Sequence, residues 1–393
     1  MRMKKILIFA ICMALFVIST GCTQKDKPNI SSQPKVLSIF KTTISTGVWN
    51  AAAIKTDGSL WTWGWNSSGQ LGDGTEIDRH FPVKIMDNVA AVSLGNCFSA
   101  AIKIDGSLWT WGNGLYGDLG DGATVTRPTP MKIMDNVAVI SLGDINMAAI
   151  KKDGSLWTWG YNSYGQLGDG TKTDKKTPVK IMDDATFVSA GNDHMVAIKT
   201  DNSLWAWGNN NYGQLGDGTT VSQLSPVKIL DNIAFASAGY DYTTVIKTDA
   251  SLWVWGWNVS GQLGDSTEIN RYAPVKIMED VTVVSAGNNH VAAIKTDGSL
   301  WTWGNNLHGE LGDGTTDSQT TPIKILDNVS AVSAGWNLTA YIKNGTLYIG
   351  GQNSHGEIGN GTVDDENDLF PYNSPVPIME SVALSDMVIS ASS

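Results

Sequence analysis

The chain has 393 residues, with 38 acidic and 27 basic side chains, a net charge of −11, 42 glycines, 16 tryptophans and only three cysteines. An acidic field without a basic stripe repels phosphate backbones, so nucleic acid is excluded as a partner. Three cysteines exclude a disulfide framework.

At the N-terminus MRMKK is basic, Ile6 to Ile18 is an apolar run of thirteen residues, and STGC follows at Ser19 to Cys22. The run is shorter than the roughly 20 residues of a membrane-spanning helix, and the order of basic, apolar and small residues is that of a secretory signal. STGC resembles the lipobox of bacterial lipoproteins, in which the cysteine is lipidated and becomes the new N-terminus. The expected division is therefore a signal peptide over 1–21, a lipidation site at Cys22, a flexible tether over 22–33 and one folded domain over 34–393. TQKDKPNISSQ, directly after Cys22, is polar, contains a proline and lacks apolar periodicity. The expected location is extracytoplasmic, on the cell membrane through the lipid anchor alone, with secretion as the alternative. Past Cys22 the chain carries 24 bases against 38 acids, a net −14, and Cys97 is its one remaining thiol.

From there the sequence repeats. WxWG begins at Trp61, Trp109, Trp157, Trp205, Trp253 and Trp301, a spacing of 48 residues five times in succession. LYIGGQNSHGEIGNGT, Leu347 to Thr362, is a seventh copy without the tryptophans. Such a period signifies a solenoid, a propeller or an array. Each unit reads as four strands, as in FVSAG, HMVAIKT, SLWAWG and SPVKIL of the fourth copy, because apolar residues alternate between turn signals. TDG at Thr56 to Gly58 and its variants mark a tight hairpin between the second and third strands. The first strands read STG, SLG, SLG, SAG, SAG, SAG and SAG, small residues suited to seven strands converging on an axis. The predicted fold is all-β, a seven-bladed β-propeller of four-stranded blades.

The pattern of SAG, DGSLWxWG and GQLGDGT resembles that of the regulator of chromosome condensation repeat family, over Pro34 to about Val388. The resemblance implies the seven-bladed ring and does not by itself transfer a function. Two terminal segments compete to finish the last blade: QPKVLSI, Gln33 to Ile39, and SPVPIME, Ser374 to Glu380, both of which align with the fourth strand.

Residues that recur in every unit are expected to be scaffold. Trp61 and Trp63 point to one face of their strand and are expected to fill the space between blades. Gly64 to Leu71, GWNSSGQL, has Gln70 and Leu71 where a phosphate loop needs Lys and Ser or Thr. None of the five histidines falls in a metal-ligand spacing, so no metal or cofactor is expected. In TVDDENDLFPYN the acids Asp364, Glu366 and Asp368 alternate, but Leu369 and Pro375 stand where a calcium loop needs Gly and Glu. No catalytic acid/base pair or nucleophile is evident. Arg79, Arg127 and Arg271 share one repeat position and are expected at the blade edge.

A site for one asymmetric partner must instead lie where the blades differ. The irregular aromatics are Trp49, Phe98, Tyr240, Tyr242 and Trp336 near the first-to-second connections, and Trp65, Tyr116, Tyr161, Tyr164, Tyr212 and Trp257 after the third strands. Strands one and three run the same way in an antiparallel blade, so these connections are expected on one face, where Trp and Tyr favour binding hot spots. The function expected is a binding module for a protein or other macromolecule, working as a monomer. Relatives of this propeller include secreted β-lactamase inhibitory proteins, which implies inhibition of an extracellular enzyme as a concrete form. A polysaccharide-cleaving enzyme and nucleotide exchange on a small GTPase are the alternatives.

Overall fold

The computed structural model describes residues 41–364 and 372–384. The signal peptide, Cys22, the tether, the segment Gln33 to Ile39 and most of the acidic insertion lie outside these residues. Among these residues twenty-eight strands pair into seven four-stranded antiparallel sheets, each consecutive in sequence. In blade four the strands are Ala185–Ala190, His194–Lys199, Leu204–Gly208 and Gln223–Leu230. His194 to Lys199 is buried on both faces except at its last residue, because neighbouring blades cover each side. The fourth strand is half-exposed and carries Pro226, as an edge strand tolerates a residue without an N–H.

The two tryptophans of each WxWG both pack against the core between blades, as expected, but at different depths. Trp63, Trp111, Trp159, Trp207, Trp255 and Trp303 are fully buried, and each indole N–H donates to a carbonyl of the preceding blade, as Trp207 Nε1 does to Gln166 O at 2.9 Å. The glycine of GQLG is required there, since a Cβ on Gly168, whose φ is +78°, would lie 2.7 Å from the Trp207 indole nitrogen. Trp61, nearer the hairpin end of the strand, is only half-buried. Its N–H donates to Ser59 Oγ at 2.9 Å and Lys55 Nζ lies 4.6 Å over its ring. Blade seven lacks this tryptophan, and Pro375 packs against Gly350 and Gly312 in its place.

The serine of each first strand has a role beyond small size. Its hydroxyl accepts the backbone N–H of the next blade's first strand, from Leu94 to Ser45 at 3.1 Å around to Thr46 to Ser333 at 3.1 Å. The intermediate links are Leu142 to Ser93, Ala190 to Ser141, Ala238 to Ser189, Ala286 to Ser237 and Ala334 to Ser285. Seven hydrogen bonds thus make a closed girdle near the axis.

The C-terminal segment closes the ring. Val376–Met379 is the fourth strand of blade seven. Beyond it Ser381 takes the positive φ that Asn88 has at the same repeat position, and Val382 bridges Lys55 of blade one. Thr56 N donates to Ser381 O and Ala383 N to Ile54 O, each at 2.9 Å. These residues supply the start of blade one's first strand, which Ile44–Thr46 completes. Trp63 Nε1 spans the same seam, donating to Glu357 O at 2.9 Å.

Candidate binding face

The connection after the first strand and the long connection after the third are joined by backbone hydrogen bonds, such as Trp65 N to Trp49 O at 2.8 Å and Trp257 N to Asp241 O at 3.0 Å. They occupy one face, as strand direction requires. The long connection is organised from inside by a buried asparagine. Asn66 Oδ1 accepts Leu71 N at 2.9 Å, while its Nδ2 donates to Thr75 O at 3.0 Å and Ile77 O at 3.1 Å. Asn162, Asn210, Asn258 and Asn306 repeat this arrangement. Arg79, Arg127 and Arg271 are partly exposed and staple the outer end of the same loops, pairing with Asp73, Asp121 and Asp265.

Most of the irregular aromatics meet across blade boundaries. Tyr116 and Tyr161 have ring centroids 5.4 Å apart, Tyr212 and Trp257 5.7 Å, and Trp49, Trp65 and His355 form a trio at 4.8 to 5.9 Å. Tyr240 and Trp336 meet edge to face at 5.4 Å over the axis, spanning the intervening blade six. Tyr116, Tyr164 and Tyr212 are exposed. Phe98 and Tyr242 are fully buried and are not part of the surface. Both begin a second strand, at the position held elsewhere by Asn50, Asn146, His194, His290 and Leu338, which is also buried in each. Tyr242 Oη donates to His290 O at 2.7 Å, so variation there matches one blade to the next. Leu115, Val259 and Leu307, at the tips of the long connections, are exposed apolar residues of the same face. The search for aromatics alone missed them, although they too break the repeat.

At the centre is a well of about 140 Å³, lined by the inner-strand glycines and by Val48, Asn96, Asp144, Asn192, Tyr240, Asn288 and Trp336. These seven side chains share one repeat position. One residue further along each connection lie Asp193 and Asp241. Burial pushes the Asp193 carboxyl up to about 7, with the charges of Asp241 and Asp144 adding to the shift. Burial raises Asp241 to about 6, opposed by its bond from Gln214, and raises Asp144. Cys97 is partly buried, its thiol pushed up to about 11 by burial, so it is a poor thiolate at neutral pH. Among the described residues no group of three His, Cys, Asp or Glu side chains could hold a metal ion.

The glutamine of GQLG lies buried between blades, where Gln166 Nε2 donates to Asp193 Oδ1 at 3.0 Å and Gln214 Nε2 to Asp241 Oδ1 at 2.9 Å. Glu357 replaces it at the seam, and its Oε1 is buried without a hydrogen-bond partner among the described residues. Burial lifts this carboxyl from 4.5 to about 8. The folded state therefore holds a proton that the unfolded chain releases first, so this group lowers stability as pH rises between those values. Glu357→Gln is expected to raise the melting temperature near pH 9, by a free energy on the order of a few kcal/mol, and to change little near pH 4. Thermal melts at the two pH values check this, and an equal effect at both would contradict it.

A family model for the RCC1-like domain matches residues 17–341 and 176–393. No curated protein matches the sequence. Among solved structures, human WBSCR16 is 22% identical over 79% of this chain and 91% of its own, with a TM-score of 0.68. Prp20p of Saccharomyces cerevisiae, described with its binding to Gsp1p and histones, is 22% identical over 75% of this chain and 80% of its own, at 0.66. Yeast RCC1 (Prp20) bound to Kap60 is 18% identical over 93% and 92%, at 0.72. At these identities the likeness shows the fold. The family match and the seven closed blades together establish that this chain belongs to the RCC1-like domain family.

Proposed function

We propose that the chain is a lipid-anchored, extracytoplasmic module that binds a protein through the aromatic face around the axial well, and that it acts by covering an extracellular enzyme. The observation that carries the reading is the segregation of residue types. The second tryptophan of each WxWG is turned inward as scaffold, whereas exposed Tyr116, Tyr164, Tyr212, Leu115, Val259 and Leu307 break the repeat on one face. Exposed aromatic and apolar groups in one region suit a protein interface. The fold's solved examples include a propeller described with its binding to Gsp1p and histones and one bound to Kap60. The anchor rests on STGC at Ser19 to Cys22.

The test is a pull-down from envelope and culture fractions with residues 34–393 as bait. A partner should be recovered and then lost with the Trp65/Trp257/Trp336 triple alanine variant. Equal recovery by both baits would refute the face. For the anchor, Cys22→Ser should abolish lipid labelling and leave precursor or release the protein. A substituted protein that is still processed and membrane-bound overturns that part.

A further inference from the structure

The wall of the axial well is built from the inner-strand glycines, and its rim takes one side chain from each blade, among them Asn96, Asp144, Asn192, Tyr240, Asn288 and Trp336. This position recurs in place but not in kind, which a purely structural role does not require. Tyr240 and Trp336 meet edge to face there, with ring centroids 5.4 Å apart. The Tyr240 hydroxyl, the Trp336 indole N–H and the Asn288 side-chain amide make no hydrogen bond among the described residues.

Four buried polar side chains stand behind the glycine wall. Asn50 is 1% exposed, and Asn146, His194 and His290 are at 0%. Both polar atoms of the Asn50 amide, Asn146 Oδ1 and the Nδ1 of each histidine have no hydrogen-bond partner among the described residues. A Cβ on Gly143, Gly191 or Gly287 would lie 2.8, 2.8 and 3.0 Å from Asn146 Oδ1, His194 Nδ1 and His290 Nδ1 respectively, and one on Gly47 would strike Asn50 Oδ1. Each unpartnered atom therefore abuts a glycine that lines the well. Buried polar atoms without partners are costly, and water or a ligand hydroxyl in a polar cavity completes them.

We infer that the axial well binds a neutral sugar residue, the terminal pyranose of a saccharide, with its hydroxyls on the rim amides and Asp144 and its C–H side against Trp336. This goes beyond the reading of the surrounding face as a protein-binding surface and does not depend on it. Sugar hydroxyls both donate and accept, and the rim matches them with a donor in the indole N–H, an acceptor in Asp144 and groups of both kinds in the asparagines and Tyr240. A concave site with an aromatic wall and a few placed polar groups is the usual form of a small-ligand site. The first-to-second connections, and the third-to-fourth connections from their opening glycine through the GDG turn or its variant, contain no lysine or arginine in any blade. Nothing there neutralises a uronic acid, a sulfate or a phosphate, so the sugar is uncharged. Asp144 is the single carboxylate among the lining residues, whereas most glycoside hydrolysis uses a pair. The event inferred is binding without cleavage.

The experiment titrates the folded chain with the methyl glycosides of glucose, galactose, mannose and N-acetylglucosamine, and with glucuronic acid, by calorimetry and saturation-transfer NMR. At least one neutral glycoside should bind with a Kd of about 1 mM or tighter, and glucuronic acid about tenfold more weakly or not at all. Asn288→Ala removes a rim amide. Val48→Trp removes no rim polar group but fills the well with the side chain that blade seven already carries at this position. Each should weaken the glycoside by about tenfold or more, while Tyr272→Ala, an exposed aromatic of an outer strand, changes binding less than about threefold. Thermal melts check that the variants remain folded. No neutral glycoside bound up to about 10 mM, equal binding of glucuronic acid, or unchanged binding in both Asn288→Ala and Val48→Trp overturns the inference. Isolated envelope polysaccharide and a glycopeptide with the same terminal sugar then separate a free saccharide from one carried by a protein. A protein partner that Val48→Trp retains while it loses the glycoside would show that the well and the face act apart.

Discussion

Trp207→Ala should lower the stability of the ring by about 3 to 5 kcal/mol, the range for deleting a fully buried large side chain. Trp207 is at 0% exposure and packs with Ile150, Leu156 and Leu167 of blade three as well as Met195 and Ala197 of its own blade. The substitution therefore opens a cavity at a junction between blades and also leaves Gln166 O without its indole donor. An unpaired buried carbonyl adds its own cost. Since domains are stable by about 5 to 15 kcal/mol in total, the variant should melt far below the unaltered chain. A melting temperature within a few degrees of wild type would show that the blade junctions are not the source of stability.

Truncation after Asn373 should be more damaging still. It removes the edge strand Val376–Met379, the Pro375 that stands in for a missing tryptophan, and Val382, which is 2% exposed in the core between blades seven and one. The backbone bonds from Thr56 to Ser381 and from Ala383 to Ile54 go with them. Burying Met379 and Val382 alone contributes about 1.5 to 3 kcal/mol each, and the exposed third strand of blade seven would become an open edge prone to association. The expected result is loss of the cooperative melt at moderate temperature, or aggregation during purification. Melting of the truncated chain at the wild-type temperature would mean that Gln33 to Ile39 closes the ring instead.

Much of this architecture is legible in the sequence because each repeat states the same local rules again. Turn residues, alternation and the 48-residue period define four strands and seven blades without any long-range information. Closure is different in kind. That Ser333 accepts Thr46 N, or that Val382 finishes a strand begun at the other end of the chain, depends on contacts nearly 300 residues apart or more. Only the invariance of the serine hints at it. The site was read through a single rule, that what breaks the repeat is functional, and Phe98 and Tyr242 show where the rule fails. An irregular residue can be turned inward to fit an irregular neighbour, as Tyr242 is toward His290. The difference between Trp61 and Trp63 was likewise hidden, since both point to one face and only depth in the blade separates them.

Recurring aromatics build the scaffold, and the irregular, surface aromatics form the proposed site. That division is tested most directly by comparing thermal melts of Trp207→Ala with those of the Trp65/Trp257/Trp336 triple alanine variant under the same conditions. Trp65, Trp257 and Trp336 are each part-exposed and contact aromatic neighbours on the candidate face, outside the cores between blades. The triple variant should therefore melt close to the unaltered chain while Trp207→Ala falls well below it. A triple variant that melts as low as Trp207→Ala would show that the aromatic face holds the ring together and would contradict its assignment as a site.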